Sequence, residues 1–156
     1  MLSKNLIDAI LAHSEEIITR IVDTILTHPR TAYYHTMDRA ELKKRIEGIF
    51  KNLGKALQEG AEGELRTIYL KFGKVRYFEG VPLADLLFAL ILCKTKMLSV
   101  LQKHVVPESS AQLYLEMQLH DTLAGFFDDL VYFTTKGYQE ACEETAGGSP
   151  AKTHLF

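Results

Sequence analysis

The sequence GKVRYFEGVPLADLLFALILCKTKMLSVL, residues 73–101, contains the most apolar helix of the chain and decides its fold class. Gly80 and Pro82 mark the start of this helix, since glycine often ends a preceding helix and proline is tolerated in a first turn. Apolar residues then recur every three or four positions, which is the period of an α-helix: Leu83, Leu86, Leu87, Leu90, Ile91, Met97, Leu98 and Leu101. Because Phe88, Leu92 and Cys93 lie on other faces, we expect this helix to be covered on several sides.

Four further segments have the helical period: residues 3–27, 38–60, 65–80 and 110–144. Asp38 and Glu41 form the pattern of a capping box before the second segment, and Ser109 or Ser110 can cap the last one, which can kink at Gly125. No segment alternates as a strand does. We therefore predict an all-α, globin-like bundle of five to six helices, with one domain over residues 1–144 and a flexible tail over residues 145–156.

Composition and charge limit the function. The 156 residues have 47% hydrophobic content and a net charge of -2, and neither sign forms a long run, so we expect no binding to nucleic acid. The apolar run 81–93 contains Asp85 and is shorter than the roughly 20 residues of a membrane span. Charges at Lys4 and Asp8 argue against a signal peptide, so we expect a cytoplasmic protein without membrane contact.

The sequence contains no recognisable catalytic motif. It has no glycine-rich phosphate loop and no Gly-x-Ser-x-Gly elbow, so we predict that the chain is not an enzyme. No histidine lies within four residues of another and Cys93 and Cys142 are far apart, so the spacing indicates no metal site. Glu116 and His120 have no matching second pair, as a di-iron bundle would require.

Histidines within apolar stripes leave two interpretations open. His13 and His120 fall on predicted interior faces, where most histidines are neutral and hydrogen-bonded. The alternative is a haem or small apolar ligand pocket formed by His120, His13, His104, Met117 and Phe127. Because no other feature specifies haem, we expect no cofactor.

The same segment, 73–101, resembles the RsbRD N-terminal domain family, the sensor domain of RsbR-type stressosome co-antagonists. The resemblance lies in the turn formed by Arg76, Gly80 and Pro82 and in the leucine-rich helix after it, and it covers about residues 3–135. Upstream, the His28-Pro29 break and the pattern of Glu41, Leu42, Arg45 and Ile46 are also similar.

This resemblance implies a globin-like homodimer without haem that passes a signal along its exit helix to an output domain, commonly a STAS domain. Related domains precede histidine kinases, so the implied protein partner is of the STAS or kinase type. Only a short tail follows the last predicted helix here, so we expect a free-standing sensor, an adaptor or a separately expressed domain. We predict a non-enzymatic regulatory domain in bacterial signal transduction and stress response. Its dimer contact would use the outer face of the last helix and Leu83, Leu87, Phe88 and Leu92.

Overall fold

The computed structural model describes residues 4–59, 62–104 and 106–147, and every regular element in these ranges is helical. The elements are α1 (Lys4–Ala12), α2 (Ser14–Ile25), a 3₁₀ helix (Pro29–Thr36), α3 (Arg39–Glu59), α4 (Glu62–Glu79), α5 (Leu83–His104) and α6 (Ser110–Ala146). The predicted all-α bundle is confirmed, and its arrangement is consistent with a globin-like fold.

The predicted first helix divides into α1 and α2 at His13. The backbone angles of His13, φ −106° and ψ 8°, lie outside the helical region. The His13 amide still donates to the Ala9 carbonyl, and the Ile17 amide donates to the His13 carbonyl, so helical hydrogen bonds continue across this position. No glycine or proline marks this position, so the sequence pattern carried no signal for it.

The aromatic linker between α2 and α3 forms the 3₁₀ helix, which is kinked at Thr31, where φ −125° and ψ 34° are not helical. Pro29 lies in its first turn, and the His28 ring accepts a hydrogen bond from the Arg30 amide at 3.1 Å. The buried Thr31 hydroxyl donates to the Ile25 carbonyl at 2.7 Å, and the Tyr34 side chain is also buried. The linker is therefore an integral part of the bundle.

The core lies where α5 packs against α2, α6 and the 3₁₀ helix. The largest fully buried side chains come from α2, α3, α5, α6 and the turn before α5: Phe127, Ile17, Ile21, Ile25, Leu42, Leu53, Leu86, Met97, Leu123, Leu130, Val81 and Val100. The many buried positions of α5 agree with its wide apolar surface, and only Ile91 among its large apolar residues is strongly exposed.

Local capping explains where α3 and α6 begin. The Asp38 carboxylate accepts from the Glu41 amide at 3.3 Å, whereas the Glu41 carboxylate binds Arg45 and does not close the predicted capping box. Ser109 caps α6, its hydroxyl accepting from the Gln112 amide at 3.2 Å.

α6 is the longest helix, with 37 residues and a length of about 55 Å. It continues through Gly125 and ends at Gly147, which adopts a positive φ of 63°. The tail predicted over residues 145–156 lies outside the described residues from position 148 onward. No helix in the described ranges combines the length and hydropathy that a membrane span requires.

Candidate functional site

The turn between α4 and α5 is a Schellman motif, which explains its residue pattern. Gly80 adopts a φ of 84°, its amide donates to Tyr77, and the Val81 amide donates to the Arg76 carbonyl at 3.1 Å. The carbonyl of Pro82 then accepts the first hydrogen bond of α5. Glycine is required here because other residues rarely adopt this backbone conformation, so the pattern has a structural cause.

Arg76 also belongs to a charged cluster that joins α4 to α3. Its guanidinium lies 2.6 Å from one Glu79 oxygen and stacks over the Phe72 ring, while Arg45 binds the other Glu79 oxygen at 2.8 Å. Desolvation by partial burial, together with the positive charge of Arg45, lowers the pKa of Arg76. Each carboxylate oxygen of Glu79 thus binds a different arginine, and these contacts orient the end of α4.

The turn is hydrogen-bonded directly to α6. The Tyr138 hydroxyl donates to the Val81 carbonyl at 2.7 Å, although 57 residues separate them. Desolvation by burial raises the pKa of this phenol, so the hydroxyl stays protonated as the donor. Any displacement of the last third of α6 must therefore move the turn or break this bond.

α4 and α6 cross at unusually close range because glycine occupies both sides. A Cβ atom added at Gly73 would overlap the Thr134 carbonyl, and one added at Gly137 would overlap the Leu70 carbonyl. The obstructing atoms are backbone atoms, which cannot rotate away. This crossing fixes the register of α6 against α4.

The first half of α6 carries large apolar side chains that the bundle does not cover. The exposed residues on or just before it are Val106, Leu113, Tyr114, Leu115 and Met117. Beside them, a mostly apolar groove of about 230 Å³ runs between α5 and α6, lined by Leu98, Leu101, Gln102, Leu113, Glu116, Met117, Leu119, His120 and Leu123. We refer to these exposed residues and the groove as the α6 apolar surface.

The residues of α5 that were predicted to form the dimer contact are partly or fully covered by other parts of the same chain. Leu92 is buried, whereas Leu83, Leu87 and Phe88 are half-buried. The Phe88 ring also contacts the His28 ring, with 4.7 Å between centroids, and the Arg30 guanidinium. The larger exposed apolar area lies on α6, the second surface that the sequence analysis named.

The five residues proposed as a ligand pocket occupy three separate places. Phe127 is fully buried in the core, while His120 and Met117 are exposed beside the groove. His13 and His104 come together elsewhere, with their rings stacked at 3.9 Å between centroids and an interplanar angle of 8°. The expectation that His120 faces the core is wrong, because α6 turns this side chain outward.

Sequence reasoning missed three residues at the α4–α6 contact: Tyr138, Gly73 and Gly137. Glycine within two helical segments was the only available signal. It did not indicate which helices approach each other.

These features define a class of protein: an all-helical bundle whose longest helix connects an exposed apolar surface to a tightly packed internal crossing. Residues 15–149 match the family described as the RsbT co-antagonist protein rsbRD N-terminal domain, and the chain belongs to this family. It is therefore a stressosome-type signalling domain, as the turn pattern had indicated. No curated protein and no solved structure matches the chain.

Proposed function

We propose that the chain is a non-enzymatic regulatory domain of bacterial signal transduction that acts by homodimerisation through the α6 apolar surface. The observation that supports this is the concentration of uncovered apolar side chains at residues 113–117. Leu113 and Met117 are four residues apart and so share one face of α6, beside the apolar groove, and uncovered apolar surface of this kind is typical of protein contacts. A second copy related by a twofold axis would bring two such surfaces together.

The geometry of α6 supports a role in passing on such a contact. Met117 and Gly137 lie on the same uninterrupted helix, 20 residues or about 30 Å apart. A contact at the first half of α6 is thus mechanically connected to the glycine crossing and to the Tyr138 hydrogen bond. Signal transfer to a STAS or kinase-type partner would use the same helix, and the partner and the cytoplasmic location stay predictions.

The proposal is tested by measuring molar mass with light scattering during size exclusion over a range of concentrations. We expect a dimer for the unmodified chain, and a monomer for Met117→Glu. Tyr132→Glu is the matched control, because Tyr132 lies on the same helix and is exposed to the same fraction, 60%, as Met117. Circular dichroism should show that both variants keep their helical content.

Two outcomes would contradict the proposal. A monomeric unmodified chain at all concentrations would exclude homodimerisation as the mode of action. A dimer that persists in Met117→Glu and dissociates in Tyr132→Glu would place the interface on a different part of α6.

The groove supports a second candidate, a sensor of haem or of a small apolar ligand. His120 and Met117, two side chains able to bind haem iron, both line it. An absorbance scan after haem reconstitution tests this function, and His120→Ala should abolish any haem band. Absence of haem uptake would exclude the haem function.

A further inference from the structure

Three side chains with metal-binding atoms converge where the α1–α2 junction meets the end of α5. They are His13 at the junction, Glu16 in the first turn of α2 and His104, the last residue of α5. The His104 Nε2 atom lies 2.8 Å from Glu16 Oε2, and the His13 Nδ1 atom lies 3.9 Å from the same oxygen. All three ligand atoms lie within 4.8 Å of one another.

The two carboxylate oxygens of Glu16 have different surroundings. Oε1 faces the cations, at 3.1 Å from Arg20 and 3.7 Å from Lys103, whereas Oε2 faces the two imidazoles. The basic side chains can therefore keep their contacts with Oε1 while Oε2 binds another group. Their positive charge opposes a metal cation, so the expected affinity is below that of a closed structural site.

The chemistry of this set suits zinc and similar divalent ions. Imidazole nitrogens and a carboxylate oxygen are common zinc ligands, and three protein ligands leave a coordination position for water or another molecule. The side chains of His13, Glu16 and His104 are 30%, 32% and 30% exposed, so an ion can enter from solvent.

The three side chains lie close together, but their orientations are not those of ligands bound to one metal ion. His13 occupies the sparsely populated bridge region of backbone angles, where functional residues are often found. The two rings are stacked and nearly parallel, so their in-plane nitrogen lone pairs lie in separate planes, and at least one ring must tilt for both to point at one ion.

We propose that His13, Glu16 and His104 form a three-ligand site for a zinc-class divalent ion. The bound ion would replace the proton shared between His104 and Glu16 and would connect the α1–α2 junction to α5. Binding would then stabilise the attachment of the N-terminal helices to the bundle.

The test is a calorimetric titration of tag-free protein with Zn²⁺, and with Mg²⁺ as the ion that disfavours imidazole. We expect one Zn²⁺ per chain and no Mg²⁺ binding at the same concentrations. His13→Ala, His104→Ala and Glu16→Gln should each weaken Zn²⁺ binding by about tenfold or more, since each removes one ligand. Zn²⁺ should also raise the melting temperature of the unmodified chain and not of these variants.

His120→Ala is the matched control, because it removes a histidine of α6 that lies outside the cluster, and it should bind Zn²⁺ as the unmodified chain does. Circular dichroism checks the fold, and His104→Gln replaces His104→Ala if the smaller residue disturbs it. The proposal is overturned if no stoichiometric Zn²⁺ binding occurs. It is equally overturned if binding survives loss of both His13 and His104, or if His120→Ala abolishes it.

Discussion

Replacing Gly137 with alanine tests the close approach of α4 and α6 most directly. The added methyl group would overlap the Leu70 carbonyl, so the two helices must separate by more than about 1 Å to restore ordinary contact. Overpacking of this kind typically costs about 1–3 kcal/mol, and more where only backbone can move. Alanine also gains about 1 kcal/mol over glycine within a helix, which offsets part of this cost.

Because the overlap is with backbone, the upper end of this range applies, and we expect Gly137→Ala to lower the free energy of unfolding by about 2 kcal/mol after the gain in helix propensity. For a chain of this size, that corresponds to a fall in melting temperature of roughly 4–8 °C. The assay is urea unfolding followed by circular dichroism, with identical m-values as the check that both proteins unfold in the same way.

Gly125→Ala is the internal control on the same helix. A Cβ atom there meets no atom within 4 Å, so only the gain in helix propensity applies and stability should rise by up to about 1 kcal/mol. The reasoning would be refuted if Gly137→Ala were as stable as the unmodified chain. It would also be refuted if both substitutions had the same effect.

Three further predictions concern single side chains. Tyr138→Phe removes the hydrogen bond to the α4–α5 turn and should cost about 1 kcal/mol in urea unfolding; no loss would show that this bond does not stabilise the fold. A thiol reagent should modify Cys142, which is exposed, and not Cys93, which is buried with its pKa raised to about 12 by desolvation; rapid native labelling of both would contradict this. The hydrogen bond from His104 lowers the pKa of Glu16 below its ordinary 4.5, so its contribution is present above that pH and lost as the pH falls through the lowered pKa. Glu16→Gln should therefore flatten the stability profile as the pH falls below about 4.5, and an unchanged profile would argue against the interaction.

Much of the secondary structure could be predicted because its signals are local. The period of apolar residues located the helices, and Gly80 with Pro82 located the turn before α5. The bend at His13 carried no comparable signal, since neither glycine nor proline occurs there. The linker buries Thr31 and Tyr34 in a 3₁₀ conformation, and its short sequence has no periodic pattern that predicts this conformation.

The candidate sites were less predictable because they join distant parts of the chain. Helical period placed His120 on an interior face, but in this part of α6 the buried face is formed by Leu119 and Leu123, and His120 is exposed. His104 and Glu16 are 88 residues apart, so a search for histidines at short spacing could not pair them. Each residue was visible in the sequence, and only their proximity was not.

The sequence by itself determined the helical class, the positions of the main helices and the residue pattern of the turn that identifies the family. These properties arise from interactions within a few residues of one another, and a linear pattern records them. Only the tertiary structure decided which apolar face stays uncovered, where α4 and α6 approach through Gly73 and Gly137, and how His13 meets His104. Those outcomes depend on the packing of whole helices, whose angles and separations are set by many side chains at once.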